Sequence, residues 1–238
     1  MIRRAFTLVE LLVVISIIGL LSTIAIVSMN SSRDKARIAS GQSFEQSIFQ
    51  KFGDRLEAEW PFDAAPGGIT PDISGNGHTG TVTNPALVAG MFGSALSFTG
   101  SSWVEVGPMD ISNGITVSAW IYPTVSGQSG FIIGKLPVNS QWEFMLEGGL
   151  IIWRGGATVN NNASCPEPST NTWHNVVGTQ YGTQASVYID GHRCVTATIP
   201  AIGDSAGNVE IGTFGPGAYR FNGLIDQLRV YSGSVLEP

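Results

Sequence analysis

The chain has 238 residues, of which 43% are hydrophobic, 13% are charged and 30 are glycine. So much glycine with so little charge argues against a helix bundle and favours turn-rich β structure. The formal net charge is −6, and residues 56–238 carry five Lys or Arg against fourteen Asp or Glu. This acidic excess argues against nucleic-acid binding, because phosphate contacts need clustered cations.

The N-terminal residues 6–27 form an apolar run that contains one charged residue, Glu10. About 20 apolar residues suffice for a helix to cross a bilayer, so we expect a membrane-spanning helix here. Arg3 and Arg4 precede the run and predict a cytoplasmic N-terminus with the C-terminal bulk exported. A charge inside such a helix costs about 2.5 to 3.5 kcal/mol, so Glu10 either has a partner or lies at the headgroup level.

The segment before the apolar run predicts an unusual processing site. A secretory signal places its small residue after the apolar core, whereas Ala5 precedes it here. Cleavage after Ala5 would keep the helix and free the amine of Phe6. Residues 1–5 would then be a short basic leader.

The stretch RRA followed by FTLVELLVVISIIGLL closely resembles the N-terminus of type IV pilins and of the pseudopilins of type II secretion. The resemblance implies that a prepilin peptidase cuts before Phe6, that the new amine is methylated, and that subunits polymerise through this helix. Glu10 corresponds to the family's glutamate that pairs with the amine of a neighbouring subunit. Ala5 departs from the family, which most often has glycine there.

Helical spacing continues beyond the membrane run. Phe44, Ile48 and Phe52 recur every four residues, with Phe49 and Leu56 as a second row, and predict a stripe that packs on the following domain. Gly53 is a helix stop. We expect one helix over 6–55 and a separate domain over 56–238.

From Leu56 onwards the apolar period changes to two. Residues 115–122 and 141–147 alternate clearly. Further short runs lie at 94–98, 102–106, 129–134, 149–154, 172–181, 184–190, 193–199, 207–213 and 222–231. Many short strands without helical interludes predict a mainly β fold, a sandwich or jelly roll.

Seven segments in this region resemble, in the same order, the laminin-G-like branch of the concanavalin-A-like jelly rolls. They are WPFD, DISGNGHTGTV, FGSALSFTGSSWVEV, ITVSAWIYP, TWHNVVGTQYG, VYIDGH and FNGLIDQLRVY. The resemblance implies a carbohydrate- or protein-binding module. TQYG replaces the turn that the family usually has, which alters one loop.

A calcium site is one expectation for the loop that begins at Asp72. Asp72, Ser74 and Asn76 offer oxygens at alternate positions, and hard cations prefer oxygen ligands. The laminin-G-like resemblance implies that an acidic residue of the last strand, Asp226, joins a structural Ca²⁺ to this loop. The alternative is that these side chains cap turns through their own backbone.

Ligand contact is the weaker of two interpretations for three aromatic residues. Trp120 and Tyr122 lie on one face of their strand, and Trp153 would extend an aromatic platform if its strand were adjacent. Packing beneath the N-terminal helix or the loops is the stronger interpretation.

Cys165 and Cys194 are the two cysteines of an exported chain, so a disulfide is expected ahead of a metal site, with free thiols as the alternative. The bond would join a loop before Trp173 to the strand that follows Asp190 and Gly191.

Catalytic motifs in this chain are weak. The glycines at 75, 77 and 80 lack a strand–helix context, and the GxSxG string at 203–207 lies between β segments. Glu143 and Glu147 are better explained as a solvated pair than as glycosidase carboxylates.

Two functional hypotheses fit the sequence. The first is a non-enzymatic pilin or pseudopilin that displays the sandwich to a glycan or surface protein, made as an inner-membrane precursor and then placed in a pilus, on the surface or in the periplasm. The second is a membrane-tethered carbohydrate-active enzyme or substrate-binding module that does not polymerise. Pilus, competence apparatus and secretion pseudopilus all fit the first.

Overall fold

The computed structural model describes residues 7–84, 86–111, 114–135, 142–156, 161–203, 207–213 and 219–236. Within the helix, the side chains of residues 24–28 and 30 are outside this description. The chain divides into two compact units, Met1–Ala39 and Ser40–Pro238.

The N-terminal element is one unbroken α-helix, α1, at Leu8–Phe52, followed by a 3-10 turn at Gly53–Arg55. The helix ends one residue before Gly53, which confirms the predicted stop. Among the described residues, no helix meets the length and apolarity required for a membrane crossing.

The rest of the chain forms sixteen described strands and a second 3-10 turn at Pro66–Gly68. The strands are β1 Leu56–Trp60, β2 Ile69–Thr70, β3 Gly80–Thr83, β4 Leu87–Ala89, β5 Ser94–Thr99, β6 Trp103–Pro108, β7 Ile115–Pro123, β8 Gly130–Lys135, β9 Trp142–Glu147, β10 Leu150–Gly155, β11 Asn162–Pro166, β12 His174–Tyr181, β13 Gln184–Ile189, β14 His192–Thr198, β15 Asn208–Ile211 and β16 Asn222–Tyr231.

The strands pair into two antiparallel sheets of eight strands each. Sheet A has the order β14-β13-β12-β7-β16-β5-β4, with β1 also paired to β16, and sheet B has the order β11-β10-β9-β8-β15-β6-β3-β2. Strands that are distant in sequence are neighbours in both sheets, as in a jelly roll. The predicted mainly β sandwich with an N-terminal helix is therefore confirmed.

The core lies between the two sheets. The inward-facing residues of β7, including Ile115, Val117, Ala119 and Ile121, are fully buried in it. The alternation that predicted these strands arises because successive side chains of a strand point to opposite faces. The outward face of β7 is also buried, because part of it lies under α1.

The C-terminal part of α1 packs on sheet A. Ile48 and Phe52 form a buried cluster with Val177 and Tyr231, and Phe44 packs beside them. This confirms the predicted stripe. Phe49, which was predicted in a second row, is instead 49% exposed. Since helix residues from Ser40 onwards belong to the sandwich unit, the compact units divide inside α1, whereas the sequence predicted a boundary at residue 55.

Cys165 and Cys194 form a disulfide, as predicted. Cys165 lies in β11, at the edge of sheet B, where the sequence predicted a loop. Cys194 lies in β14, at the edge of sheet A. The bond therefore ties the two sheets together at one side of the sandwich.

Removing this bond is expected to destabilise the sandwich. The cysteines are 29 residues apart, and closing a loop of that length in the unfolded chain is worth about 3 to 4 kcal/mol in the chain-entropy model. The double variant Cys165→Ser/Cys194→Ser should lose about this much in urea unfolding. Dithiothreitol should lower the midpoint of the native protein and leave that of the double variant unchanged; equal stability of both proteins would contradict the estimate.

Candidate functional site

The start of α1 is capped by two of the residues that surround the predicted processing site. The Thr7 backbone N–H and hydroxyl donate to Glu10 Oε2 at 2.8 and 2.7 Å, and the Glu10 N–H donates to Thr7 Oγ1 at 3.3 Å. This is a reciprocal capping box. Ala5 and Phe6 lie outside the described residues, so the pairing of Glu10 with a neighbouring amine stays a prediction.

The Asp72 carboxylate is saturated by hydrogen bonds from its own loop and from β1. It accepts the backbone N–H groups of Glu59, Ser74 and His78, each at 2.9 Å, and the Ser74 hydroxyl. Burial alone would raise the pKa of Asp72, but these hydrogen bonds outweigh it and lower the pKa. The carboxylate thus organises a turn, which was the alternative to a metal site.

The Asn76 amide nitrogen donates to the carbonyls of Leu56 and Glu57 at 2.7 and 3.1 Å. A side chain held in this way presents its donor, and not an oxygen, to β1. Across the described part of the chain, no three His, Cys, Asp or Glu side chains converge. Asp72 and Asn76 are thus held as turn residues, and their role as calcium ligands stays a prediction.

Asp226 has a different environment. It is fully buried, its Oδ2 accepts the Phe92 N–H at 2.9 Å, and its Oδ1 has no hydrogen-bond partner in the described structure. Burial raises the pKa of Asp226 to about 6 against the hydrogen bonds it accepts, and the nearby Asp63 carboxylate raises it further. Asp63 accepts the Ser94 N–H at 2.8 Å, so both carboxylates flank the 90–94 loop.

The three candidate platform residues do not form an exposed platform. Trp120 and Trp153 are fully buried. Trp120 lies next to Gly41 of α1, and Trp153 stacks on Trp142 inside the core with a centroid distance of 6.0 Å. Tyr122 packs against Trp173. Packing under the helix, the stronger interpretation from sequence, accounts for Trp120.

The paired glutamates of β9 are joined by one cation. Arg154, which is paired with Glu143 in the β9–β10 register, bonds to Glu143 at 3.3 Å and also to Glu147. Burial raises the pKa of Glu143 and Arg154 opposes the shift. The arrangement is an ion-paired sheet face, with no second carboxylate free to act as a glycosidase nucleophile or base.

A serine, a histidine and an aspartate lie in line at the start of β12. Ser169 Oγ is 2.9 Å from His174 Nε2, and His174 Nδ1 is 2.7 Å from Asp190 Oδ2. His174 and Asp190 are buried, whereas Ser169 is exposed. Asp190 also accepts the Asn175 N–H, so the three residues tie the β13–β14 turn to β12. The order of atoms is nevertheless that of a hydrolase triad.

The three middle residues of the GxSxG string, 204–206, lie outside the described residues. Ser169 lies in the connection between β11 and β12, without the strand-to-helix turn that presents a nucleophilic serine in α/β-hydrolases. The triad geometry is therefore present without the local scaffold that usually accompanies catalysis.

A groove of about 600 Å³ lies between the C-terminal part of α1, β1 and β16, entirely within the sandwich unit. We call it the helix-sheet groove. At its floor, Arg229 donates to Glu59 Oε1 at 2.7 Å, to Gln227 Oε1 at 3.0 Å and to Glu45 Oε1. Glu45 Oε2 accepts the Trp120 indole N–H at 3.0 Å.

Sequence reasoning missed the helix-sheet groove. Its residues come from positions 42–50, 59, 92 and 227–229. One signal was present: Glu45 directly follows Phe44, within the apolar stripe of α1, where a charge requires a partner. Burial raises the pKa of Glu45 and the Arg229 charge opposes the shift. No local sequence pattern identified Arg229 as that partner.

Asp226→Asn is expected to change the pH dependence of stability. Because burial raises the folded-state pKa to about 6, the protonated carboxyl favours folding, and its contribution is lost as pH rises from about 4 through 6. The free energy of unfolding of the variant relative to the native protein should therefore increase over this range. Urea unfolding between pH 4 and 7 in EDTA measures it.

The control is Asp54→Asn, which removes an exposed carboxylate. Its difference from the native protein should stay flat over the same pH range. A difference for Asp226→Asn that is equally flat would contradict the assigned environment.

Comparisons with known proteins agree with this architecture. Residues 98–238 match the family model described as the concanavalin A-like lectin/glucanases superfamily, and residues 1–26 match the prokaryotic N-terminal methylation motif. The fimbrial protein EcpC of Eikenella corrodens is 29% identical over 105 residues, which cover 42% of this chain and 66% of that protein, just under two thirds.

Two solved structures share the fold. Domain 4 of AbnA, a GH43 extracellular arabinanase from Geobacillus stearothermophilus solved with arabinotriose, has a TM-score of 0.59 and 22% identity, and the match covers 76% of this chain and 93% of that one. The botulinum neurotoxin serotype C1 binding domain has a TM-score of 0.60 and 15% identity, over 77% and 50% of the two chains.

The family match spans more than half of the chain, and the N-terminal motif precedes it without overlap. At these identities the solved structures establish the fold alone. The chain therefore belongs to the concanavalin A-like lectin/glucanases superfamily and carries a prokaryotic N-terminal methylation motif.

Proposed function

We propose that this protein is a type IV pilin-like or pseudopilin subunit that polymerises through α1 and uses its sandwich for recognition at the cell surface. The observation that supports this most is the continuity of α1. A single helix, Leu8–Phe52, starts within the methylation motif and ends docked on a lectin-like sandwich. The fimbrial relative supports the same assignment.

The surface of the first part of α1 gives the physical reason for polymerisation. Eleven large apolar side chains between Leu8 and Leu21 are at least 42% exposed. Such a surface needs an apolar environment, because exposed apolar area costs roughly 25 cal/mol per Å². In the proposal, the inner membrane provides that environment for the precursor, and the helices of neighbouring subunits provide it in the filament.

The proposed processing and assembly depend on an ion pair between Glu10 and the Phe6 amine of a neighbouring subunit. A prepilin peptidase would cleave after Ala5 and expose the Phe6 amine, and Glu10 would pair with that amine on a neighbouring subunit. The carboxylate already accepts the Thr7 N–H, so it is held at the first turn of the helix, beside the new terminus. The cytoplasmic N-terminus of the precursor and the periplasmic or surface location of the sandwich belong to the same proposal.

A structural Ca²⁺ also remains a proposal. Asp226, with its unpartnered buried oxygen, and the nearby Asp63 would hold the ion, in place of Asp72 and Asn76. The ion would neutralise two neighbouring carboxylates that flank the 90–94 loop. If it binds there, Ca²⁺ stabilises the native protein against unfolding and has no effect on Asp226→Asn.

Glu10→Gln is expected to leave the subunit in the membrane and to block its entry into filaments. The amide keeps an oxygen for the helix cap but removes the charge that would pair with the amine. Immunoblots of membrane and sheared-filament fractions measure the two outcomes separately.

The matched control is Thr7→Val. It removes the hydroxyl of the capping box, keeps the Glu10 carboxylate, and should still enter filaments. Normal filament incorporation of Glu10→Gln would refute the charge pairing.

One observation favours a second candidate function, a membrane-tethered hydrolase. The Ser169, His174 and Asp190 side chains have the atom order of a triad. If they were catalytic, the full chain would release product from ester substrates, and Ser169→Ala would lower that activity by about 10³-fold or more. We expect no turnover above the Ser169→Ala background, with Ser126→Ala as the exposed-serine control. Turnover that depends on Ser169 would overturn the non-enzymatic assignment.

A further inference from the structure

We propose that the helix-sheet groove is a binding site for a neutral saccharide. This inference rests on the proposed recognition role of the sandwich and is independent of filament assembly. It follows from the shape, charge and side-chain chemistry of the groove. A volume of about 600 Å³ lies within the range of about 300 to 1,000 Å³ that is usual for small-ligand pockets.

The floor of the groove is rigid before any ligand arrives. Arg229 is held by Glu45, Glu59 and Gln227 together, and Glu45 is held by the buried Trp120. Four elements, α1, β1, β7 and β16, contribute to this network. Because these polar side chains are already fixed, they lose less conformational entropy when a ligand binds.

A β-bulge directs side chains of β16 into the groove. The pairing of β16 with β7 shifts register between Asp226 and Arg229, and Gln227 has a φ of +47° within the bulge. A non-glycine residue seldom adopts this conformation, and such residues cluster at functional sites. The bulge sets both Gln227 and Arg229 against α1. β-Bulges often re-aim side chains beside binding sites.

The charge of the floor excludes anionic ligands. Two carboxylates, Glu45 and Glu59, surround one guanidinium, so the floor has a net charge of −1 when all three are ionised. Arg229 already donates three of its five N–H groups to side-chain oxygens, and the two carboxylates beside it repel a phosphate, a sulfate or a sialic acid carboxylate. The fully buried Tyr231 hydroxyl has no partner in the described structure, and its raised pKa reflects burial together with Glu45 and Glu59.

The walls supply the groups that hydroxyl-rich ligands need. Gln42, Gln46 and Gln50 recur every four residues along α1 and so line one side of the groove. Each amide offers two donors and one acceptor, which matches sugar hydroxyls that both donate and accept. Within the described structure, none of these three amides has a hydrogen-bond partner.

An aromatic ring completes the site. Phe49 is 49% exposed and lines the groove, while Phe92 lies edge-on to Trp120 with a centroid distance of 5.7 Å. An exposed ring beside amides and carboxylates offers an apolar face to the C–H face of a sugar and polar groups to its hydroxyls. Phe49 faces the groove because it lies about 100° around α1 from the buried Ile48.

The test uses the full-length chain in detergent on an array of neutral arabinose, galactose, glucose and mannose oligosaccharides, with sialylated glycans, sulfated glycans and Lys-rich peptides as competitors. We expect binding to at least one neutral oligosaccharide. In titration calorimetry with that oligosaccharide, Phe49→Ala and Gln46→Ala should each weaken binding about tenfold. The matched control Gln184→Ala, an exposed glutamine of β13, should change binding less than about twofold.

The other outcomes distinguish failure of the groove as a binding site from failure of the proposed function. Equal affinity of the native protein and both groove variants would place the saccharide elsewhere on the sandwich, which overturns the groove and keeps the recognition role. Binding of Lys-rich peptides without any neutral glycan would overturn the ligand class. Absence of all binding would overturn the inference, and filament incorporation of the native chain would still support the subunit assignment. Circular dichroism of the variants excludes loss of folding as the cause.

Discussion

The docking of α1 on sheet A is the interaction on which the rest of this structure depends. The helix contributes Ile48 and Phe52 to a cluster with Val177 and Tyr231, and it contributes Glu45 to the ion network of Arg229 and Glu59. The apolar part supplies most of the stabilisation, because each fully buried large side chain is worth about 1.5 to 3 kcal/mol. The ionic part fixes the register of the helix, because breaking one partner would leave a buried charge.

This docking has consequences for both halves of the molecule. The helix proposed to polymerise and the sandwich proposed to recognise a ligand are joined without a break, because α1 is one helix from Leu8 to Phe52. The same docking buries Trp120, which removes it from any exposed binding face, and creates the helix-sheet groove beside it. The proposed recognition site is therefore a product of the fusion of helix and sandwich, and not a feature of the sandwich alone.

The buried polar groups divide into two kinds. The half-buried Asp72 and the buried His174–Asp190 pair are fully hydrogen-bonded and serve the fold, since each ties a turn to a neighbouring strand. Asp226 and Tyr231 each leave one buried polar atom without a partner in the described structure. Such atoms are uncommon in native proteins, and both lie on β16 close to the bulge. A third such atom of sheet A, Asn175 Oδ1 of β12, lies beside Gly41 of α1.

The sequence by itself determined most of the elements, although it did not predict β1 to β4 or β11. Period-two alternation gave β7 and β9 almost to the residue, four-residue spacing gave the stripe of Phe44, Ile48 and Phe52, and ordered motifs identified the sandwich. These signals are local, because one strand or one helix turn contains the whole pattern. Tertiary structure alone decided the site. Glu45 and Arg229 are 184 residues apart, Asp226 faces the 90–94 loop instead of Asp72, and Trp153 lies in the core. Contacts between distant side chains depend on the order of the strands in each sheet and on where α1 packs. A local sequence pattern predicts neither of these.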